Sequence, residues 1–375
     1  MRLHWRNMVR LAIAGLVLAG LAAGGLFLRL KARMGDFVAL HPHFEGSCQG
    51  VVGLPGASDM AVDRQARRIW VSSLDRVTTG ARGAIYLMPL DGIEAAPVRV
   101  DVTLGKPAVF APLGLSLWTA QDGRQVLYVV NRPVGRAPSI EIYDVDKSGV
   151  LKHRSSVEAP RYPRLNDVAG AGPDAFYVSV ESVHRAGSVL SKLGQMTTDE
   201  SGSILFWTDG KFKRLASDMD FANSLALTPD GATLYATATM DQELRVYDRK
   251  AADNSLSLRE RVYLGSSPDN IDIAPDGGIW IASHPKLGAF LKYAAAPKTQ
   301  TAPSQVLLVE RDPSGQGGDV HQIYLGAAGP LSGATIAINE GDRLLLGGAY
   351  APDALTCVMP QNFRQDVAHR FIGVR

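Results

Sequence analysis

The sequence is poor in most of the features that announce a chemistry. Its 375 residues include two cysteines and eight histidines, with no Cys/His cluster, which argues against a zinc or copper centre. The formal charge is only +2, and no Lys/Arg run occurs beyond the first few dozen residues. Nothing therefore points to nucleic acid or another polyanion. There is no G-x-S-x-G elbow, no P-loop and no G-x-G-x-x-G between a strand and a helix. That removes serine-nucleophile α/β hydrolases, NTPases and dinucleotide enzymes. Helical periodicity is almost absent after residue 35. The exception is Ser182 to Ser201, an insertion read as a short helix or lid.

What is present begins with an uncharged apolar run from Leu11 to Leu28, long enough to cross a bilayer as a helix. Arg2, Arg6 and Arg10 precede it and Arg29, Lys31 and Arg33 follow, so positive charge does not set an orientation. A cleaved signal peptide, with Ala22, Ala23 and Gly24 near the cut, is the alternative. The run continues through Leu26, Phe27 and Leu28, which favours a retained membrane anchor. Residues 1–35 are thus read as anchor or signal segment and 36–375 as the folded body. Cys48 and Cys357 stand one near each end of that body. They are either two unrelated buried thiols or one bond joining the first and last strands, which would need an oxidising compartment. With the N-terminal segment, the pair favours a body outside the cytoplasm, or secreted if the segment is cleaved.

The body repeats. Six segments share a polar or Gly-rich start, a short alternating stretch, a turn and an apolar strand, anchored by Trp70, Tyr128, Tyr177, Tyr235, Trp280 and Leu345. Anchors spaced 45 to 65 residues apart match four-stranded blades, so the fold expected is all-β, a six-bladed β-propeller behind one N-terminal helix. Equivalent segments should begin at one height around the central axis. Those starts carry Ser58 and Asp59, Asn166 and Asp167, Asn223, and Asp269 and Asn270. Asn and Asp also favour turns, which accounts for any one of them. As a set, small oxygen-bearing side chains suit a hard cation such as Ca²⁺.

The stretches GASDM, FAPLGLS, YVVNRP, PRLNDV, MDFANSLALTPDG, PDNIDIAPDGGIWIASHP and ALTC, from about residue 45 to 357, resemble the paraoxonase/arylesterase family in order and spacing. The resemblance implies a calcium-dependent hydrolase of small-molecule esters or lactones with two ions in the propeller channel. Asn166, Asn223, Asp269 and Asn270 would hold the catalytic ion. Asp59, Asp167 and a backbone carbonyl near Leu115 would hold the structural one, and Cys48 would pair with Cys357. Asp269 and His284 are the candidate catalytic groups, and His284 matches a family histidine near the ion or, equally, is a packed residue closing a strand. Three positions depart from the family: Ser58 replaces a calcium-ligating Glu, and Leu113 and Arg132 occupy the places of two histidines. These departures favour an alternative, a non-catalytic calcium-stabilised propeller that acts as a binding scaffold.

Overall fold

The computed structural model describes residues 2–78, 80–91, 98–100, 107, 109–184, 201–312, 317–327 and 329–360. Six four-stranded antiparallel sheets are arranged as the blades of a propeller. Their innermost strands are Ala57–Asp63, Pro112–Thr119, Leu165–Gly172, Ala222–Leu227, Ser267–Ile273 and Ile336–Glu340, which we number blades one to six. Each innermost strand contacts those of the two neighbouring blades, and the sixth contacts the first, so the ring is closed.

The repeated anchors explain why the blades stack. All six lie on the second strand of their blade and are buried, Trp70, Tyr128, Tyr177 and Trp280 completely. Each fills the space between two sheets, where a large side chain removes the most apolar surface from water. The six apolar clusters that result bridge adjacent blades, as where Tyr128 of blade two packs with Phe176 of blade three.

Closure is completed by the two chain ends. The strand Ser47–Val51 pairs with Ala354–Val358 and becomes the outer strand of blade six, whose other three strands come from the end of the chain. Cys48 lies opposite Cys357 in that register, and the two form a disulfide.

Two helices stand outside the blades. Helix α1, Arg2–Arg33, is fully exposed from Leu11 to Leu28, and its segment Asn7–Arg33, with mean hydropathy 2.3, is long and apolar enough to cross a membrane. Its last turn rests on the propeller: Arg33 pairs with Asp220 at 3.0 Å, and the Met34 carbonyl accepts the Leu287 N–H at 2.9 Å. Gly35 follows with φ +70°, where a Cβ would lie 2.1 Å from the Pro285 carbonyl oxygen, so only glycine fits the turn. Helix α2, Leu287–Ala295, follows the second strand of blade five and buries Leu287 and Tyr293. It was not legible as a helix, because nine residues are too few to establish a period. Of the insertion Ser182 to Ser201, expected to form a short helix or lid, residues 185–200 lie outside the described residues.

A loop spanning 309 residues is closed by the disulfide. Loop-closure entropy gives it roughly 4 to 6 kcal/mol of stabilisation. Cys48→Ser/Cys357→Ser should therefore shift the urea midpoint strongly downward, and an unchanged midpoint would show that strand pairing alone closes the ring.

Candidate functional site

The strand starts do converge, and the backbone shows how. In five blades the pairing of the first two strands slips at the start of the innermost one: between Ala57 and Asp59, Pro112 and Leu115, Leu165 and Val168, Ala222 and Leu225, and Pro268 and Ile271. Such bulges break the alternation of side chains and re-aim them. That is why consecutive residues Asp269 and Asn270 both line one pocket.

A hydroxyl two residues after the anchor secures three of these bulges. Ser72, Ser179 and Thr237 accept the main-chain N–H of Asp59, Asp167 and Ser224 at 3.1, 2.9 and 2.9 Å. Each then donates to a carbonyl of the next blade: Leu113, Asn223 and Asp269. The bulges are therefore fixed relative to one another by hydrogen bonds that cross blades.

The pocket has a volume of about 560 Å³. Ser58, Asn166, Asn223, Asp269, Asn270 and His284 line it, with Leu113 and Arg132. At its base Asp269 Oδ1 accepts the Asn223 amide at 2.9 Å, and Oδ2 lies 2.9 Å from His284 Nε2. The His284 ring stacks on Phe290 of α2 with centroids 3.7 Å apart, and its Nδ1 is buried without a hydrogen-bond partner. Asn270 donates its amide to the Ser58 carbonyl at 2.9 Å, and Asn166 donates to Glu181 at 2.7 Å. All three amide NH₂ groups are thus engaged, while the Asn223 and Asn270 side-chain oxygens are buried with no donor. Buried acceptors without a donor are costly.

Asp59 and Asp167 are outside that lining and buried, one slot further along the bulges. Asp59 accepts the Leu115 N–H at 2.7 Å, and Asp167 accepts the Leu225 N–H at 2.8 Å and the Ser224 hydroxyl at 2.7 Å. Leu115 thus meets Asp59 through its N–H. Neither carboxylate forms a salt bridge among the described residues. Burial, then the charge of Asp167, pushes the Asp59 carboxyl well above the usual range. Burial, with the charge of Asp269 adding to it, pushes Asp167 up to about 7. Gly114 occupies the equivalent slot between them because a Cβ would lie 2.3 Å from Asp167 Oδ1.

These features fit a hard cation. Among the described residues no group of three or more His, Cys, Asp or Glu side chains is arranged to hold a metal. An ion here would rest on amide, carbonyl and single carboxylate oxygens, which is calcium's chemistry and not zinc's.

Comparison with known proteins shows the family. The family model for arylesterase matches residues 69–359. The chain belongs to the arylesterase family. Human serum paraoxonase/arylesterase 1 is 26% identical over 72% of this chain and 75% of its own. Rat serum paraoxonase/arylesterase 2 is 25% identical over 92% and 97%. Among solved structures, a gluconolactonase from Xanthomonas campestris is 18% identical over 84% of this chain and 90% of its own, with a TM-score of 0.51. That likeness concerns the fold.

For an arylesterase-family chain, the departing positions acquire physical content. Arg132 bonds the Leu165 carbonyl at 2.8 Å and pairs with Glu181. Arg164 grips the other oxygen of Glu181 at 2.7 Å. Burial raises the Glu181 carboxyl, but the Arg132 and Arg164 charges outweigh it and hold the group below its ordinary value. Sequence reasoning missed Glu181 and Arg164, although Arg164 lies inside the PRLNDV stretch and Glu181 directly follows the second strand of blade three. His184 is half-buried and does not line the pocket, and His369 falls outside the described residues. Glu181→Gln should cost about 2 to 4 kcal/mol, because it leaves two guanidiniums sharing a pocket wall without their counter-charge. Denaturant melts of the two proteins test this, and a change under 1 kcal/mol would mean that solvent already screens the cluster.

Proposed function

We propose that this chain is a calcium-dependent hydrolase of esters or lactones, anchored by α1 with its propeller outside the cytoplasm. The observation that carries the reading is Asp269, held between Asn223 and His284 at the base of a pocket that also presents the unpaired oxygens of Asn223 and Asn270. Family membership supports the reaction class. Asn166, Asn223, Asp269 and Asn270 are the proposed ligands of the catalytic ion. Asp59, Asp167 and the Leu115 carbonyl are those of a structural ion. Calcium bound at the first set supplies Lewis acidity toward the substrate carbonyl and its developing oxyanion.

The remaining work belongs to the side chains. Asp269 orients the attacking water, takes its proton at Oδ1 and returns it to the leaving oxygen as the acyl C–O bond breaks, while His284 Nε2 steadies Oδ2. Leu287, Phe290 and Leu291 of α2 bind the apolar part of the substrate and exclude bulk water. The alternative, a non-catalytic propeller that binds a partner, draws its support from Leu113 and Arg132. They put no imidazole on that wall.

Two experiments bear on this. In metal-free protein Asp167 titrates near 7 when folded, against about 4 when unfolded. The stability contributed by this group is then full below pH 4 and declines as pH rises toward 7. Calcium replaces the proton, so millimolar CaCl₂ should raise the urea midpoint far more at pH 7.5 than at pH 5. The gain is about 3 kcal/mol at a hundredfold excess over Kd. Identical midpoints with CaCl₂ and with chelator at pH 7.5 would count against both ions.

Substitution at the catalytic ion gives opposite outcomes at two positions. Ser58→Glu adds a carboxylate to the pocket and should tighten calcium roughly tenfold and raise hydrolysis of aryl esters or lactones. Asp269→Asn should abolish both. Calorimetry beside ester and lactone assays would decide, and unaltered calcium affinity in both variants would favour the scaffold.

A further inference from the structure

Three arginines line the pocket, Arg76, Arg132 and Arg164. Arg132 and Arg164 both pair with Glu181. Arg76 lines the same pocket and, among the described residues, has no carboxylate partner. Its hydrogen bonds go only to main-chain carbonyls, those of Ala349 at 3.0 Å, Leu74 at 3.3 Å and Pro112 at 3.5 Å. All three use the terminal nitrogens, and Nε–H has no acceptor among the described residues. Burial lowers the Arg76 guanidinium to about 10, and the Arg132 charge adds to that shift. Arg76 is therefore still cationic at neutral pH, in surroundings that lack its counter-ion.

The surroundings also give the counter-ion a direction. Phe290 stacks on His284 at 3.7 Å, the Tyr350 ring meets Phe290 edge-on at 6.2 Å, and the Arg76 guanidinium lies 5.9 Å from Tyr350. Two aromatic rings thus separate the Asp269–His284 pair from Arg76 and form an apolar wall between them. A guanidinium presents N–H donors in a planar fork that matches a carboxylate.

We infer that Arg76, with Arg132 beside it, is an anion subsite, and that the ester or lactone hydrolysed here carries a free carboxylate on its apolar part. This rests on the hydrolase reading above. The preferred substrates are then monoanions, and Arg76 is the residue that selects them.

The test compares 4-acetoxybenzoate with its neutral counterpart 4-acetoxybenzamide on the calcium-loaded full chain. The ratio of their kcat/KM values is taken within one protein, so a change in folded fraction does not affect it. Wild type should prefer the anion by about tenfold or more. Arg76→Gln should cut that preference about ten- to a hundredfold, chiefly through KM. Arg76→Lys should keep part of it, and Arg154→Gln, on an outer strand, all of it.

Calorimetric binding of 4-hydroxybenzoate, which needs no turnover, should be lost in Arg76→Gln as well. Turnover of both esters with the same ratio in wild type and Arg76→Gln would overturn the inference and leave the hydrolase reading standing. No turnover, with Arg76-dependent binding of 4-hydroxybenzoate, would uphold the subsite and overturn the hydrolase reading. Neither turnover nor binding would overturn both.

Discussion

Everything at the centre of this protein depends on closing the ring. Six twisted sheets packed face to face gain most of their stability from the apolar layers between neighbours, and the last layer exists only if blade six meets blade one. The chain achieves this by giving blade six its outer strand from residues 47–51 and binding that strand covalently through Cys48 and Cys357. An open ring would leave Ile336, Ile338 and Leu345 without Ile69 and Val71 to pack against. It would also let the strand starts drift out of register around the axis.

Given closure, the site follows from a local irregularity that the ring repeats. A regular strand would send alternate residues to opposite faces, so that Asp269 and Asn270 could not serve one pocket. The bulge at the start of each of five innermost strands removes that restriction. Hydroxyls of Ser72, Ser179 and Thr237 then link three of these bulges to the next blade. The same device that tightens the ring also holds the oxygen atoms rigidly, which a metal or a developing oxyanion requires.

Charge is distributed unevenly over this frame. The axis holds Asp59 and Asp167 without basic partners, so that part of the protein favours a cation. In the pocket lining Arg132 and Arg164 pair with Glu181, whereas Arg76 has no carboxylate partner among the described residues. The last turn of α1 completes the rim through Leu30 and Met34, so the apolar N-terminal helix and the mouth of the pocket lie on the same face.

The sequence by itself determined the repeat, the number of blades and the positions where strands begin, because burial of a large anchor once per blade leaves a period that composition cannot hide. It marked His284 only through the family resemblance, and it also marked Asn166, Asn223, Asp269 and Asn270, since their types recur at equivalent points and equivalence in a closed ring means proximity. Trp70 and Trp280 were legible for the same reason. Only the tertiary structure decided what those residues face. That Asp269 touches His284, that Glu181 is gripped by Arg132 and Arg164, and that Arg76 stands without a counter-charge depend on bulges and inter-blade contacts. Neither has a period in the sequence. Helix α2 and the docked end of α1 were hidden because each is short and takes its stability from packing on the propeller instead of from its own pattern.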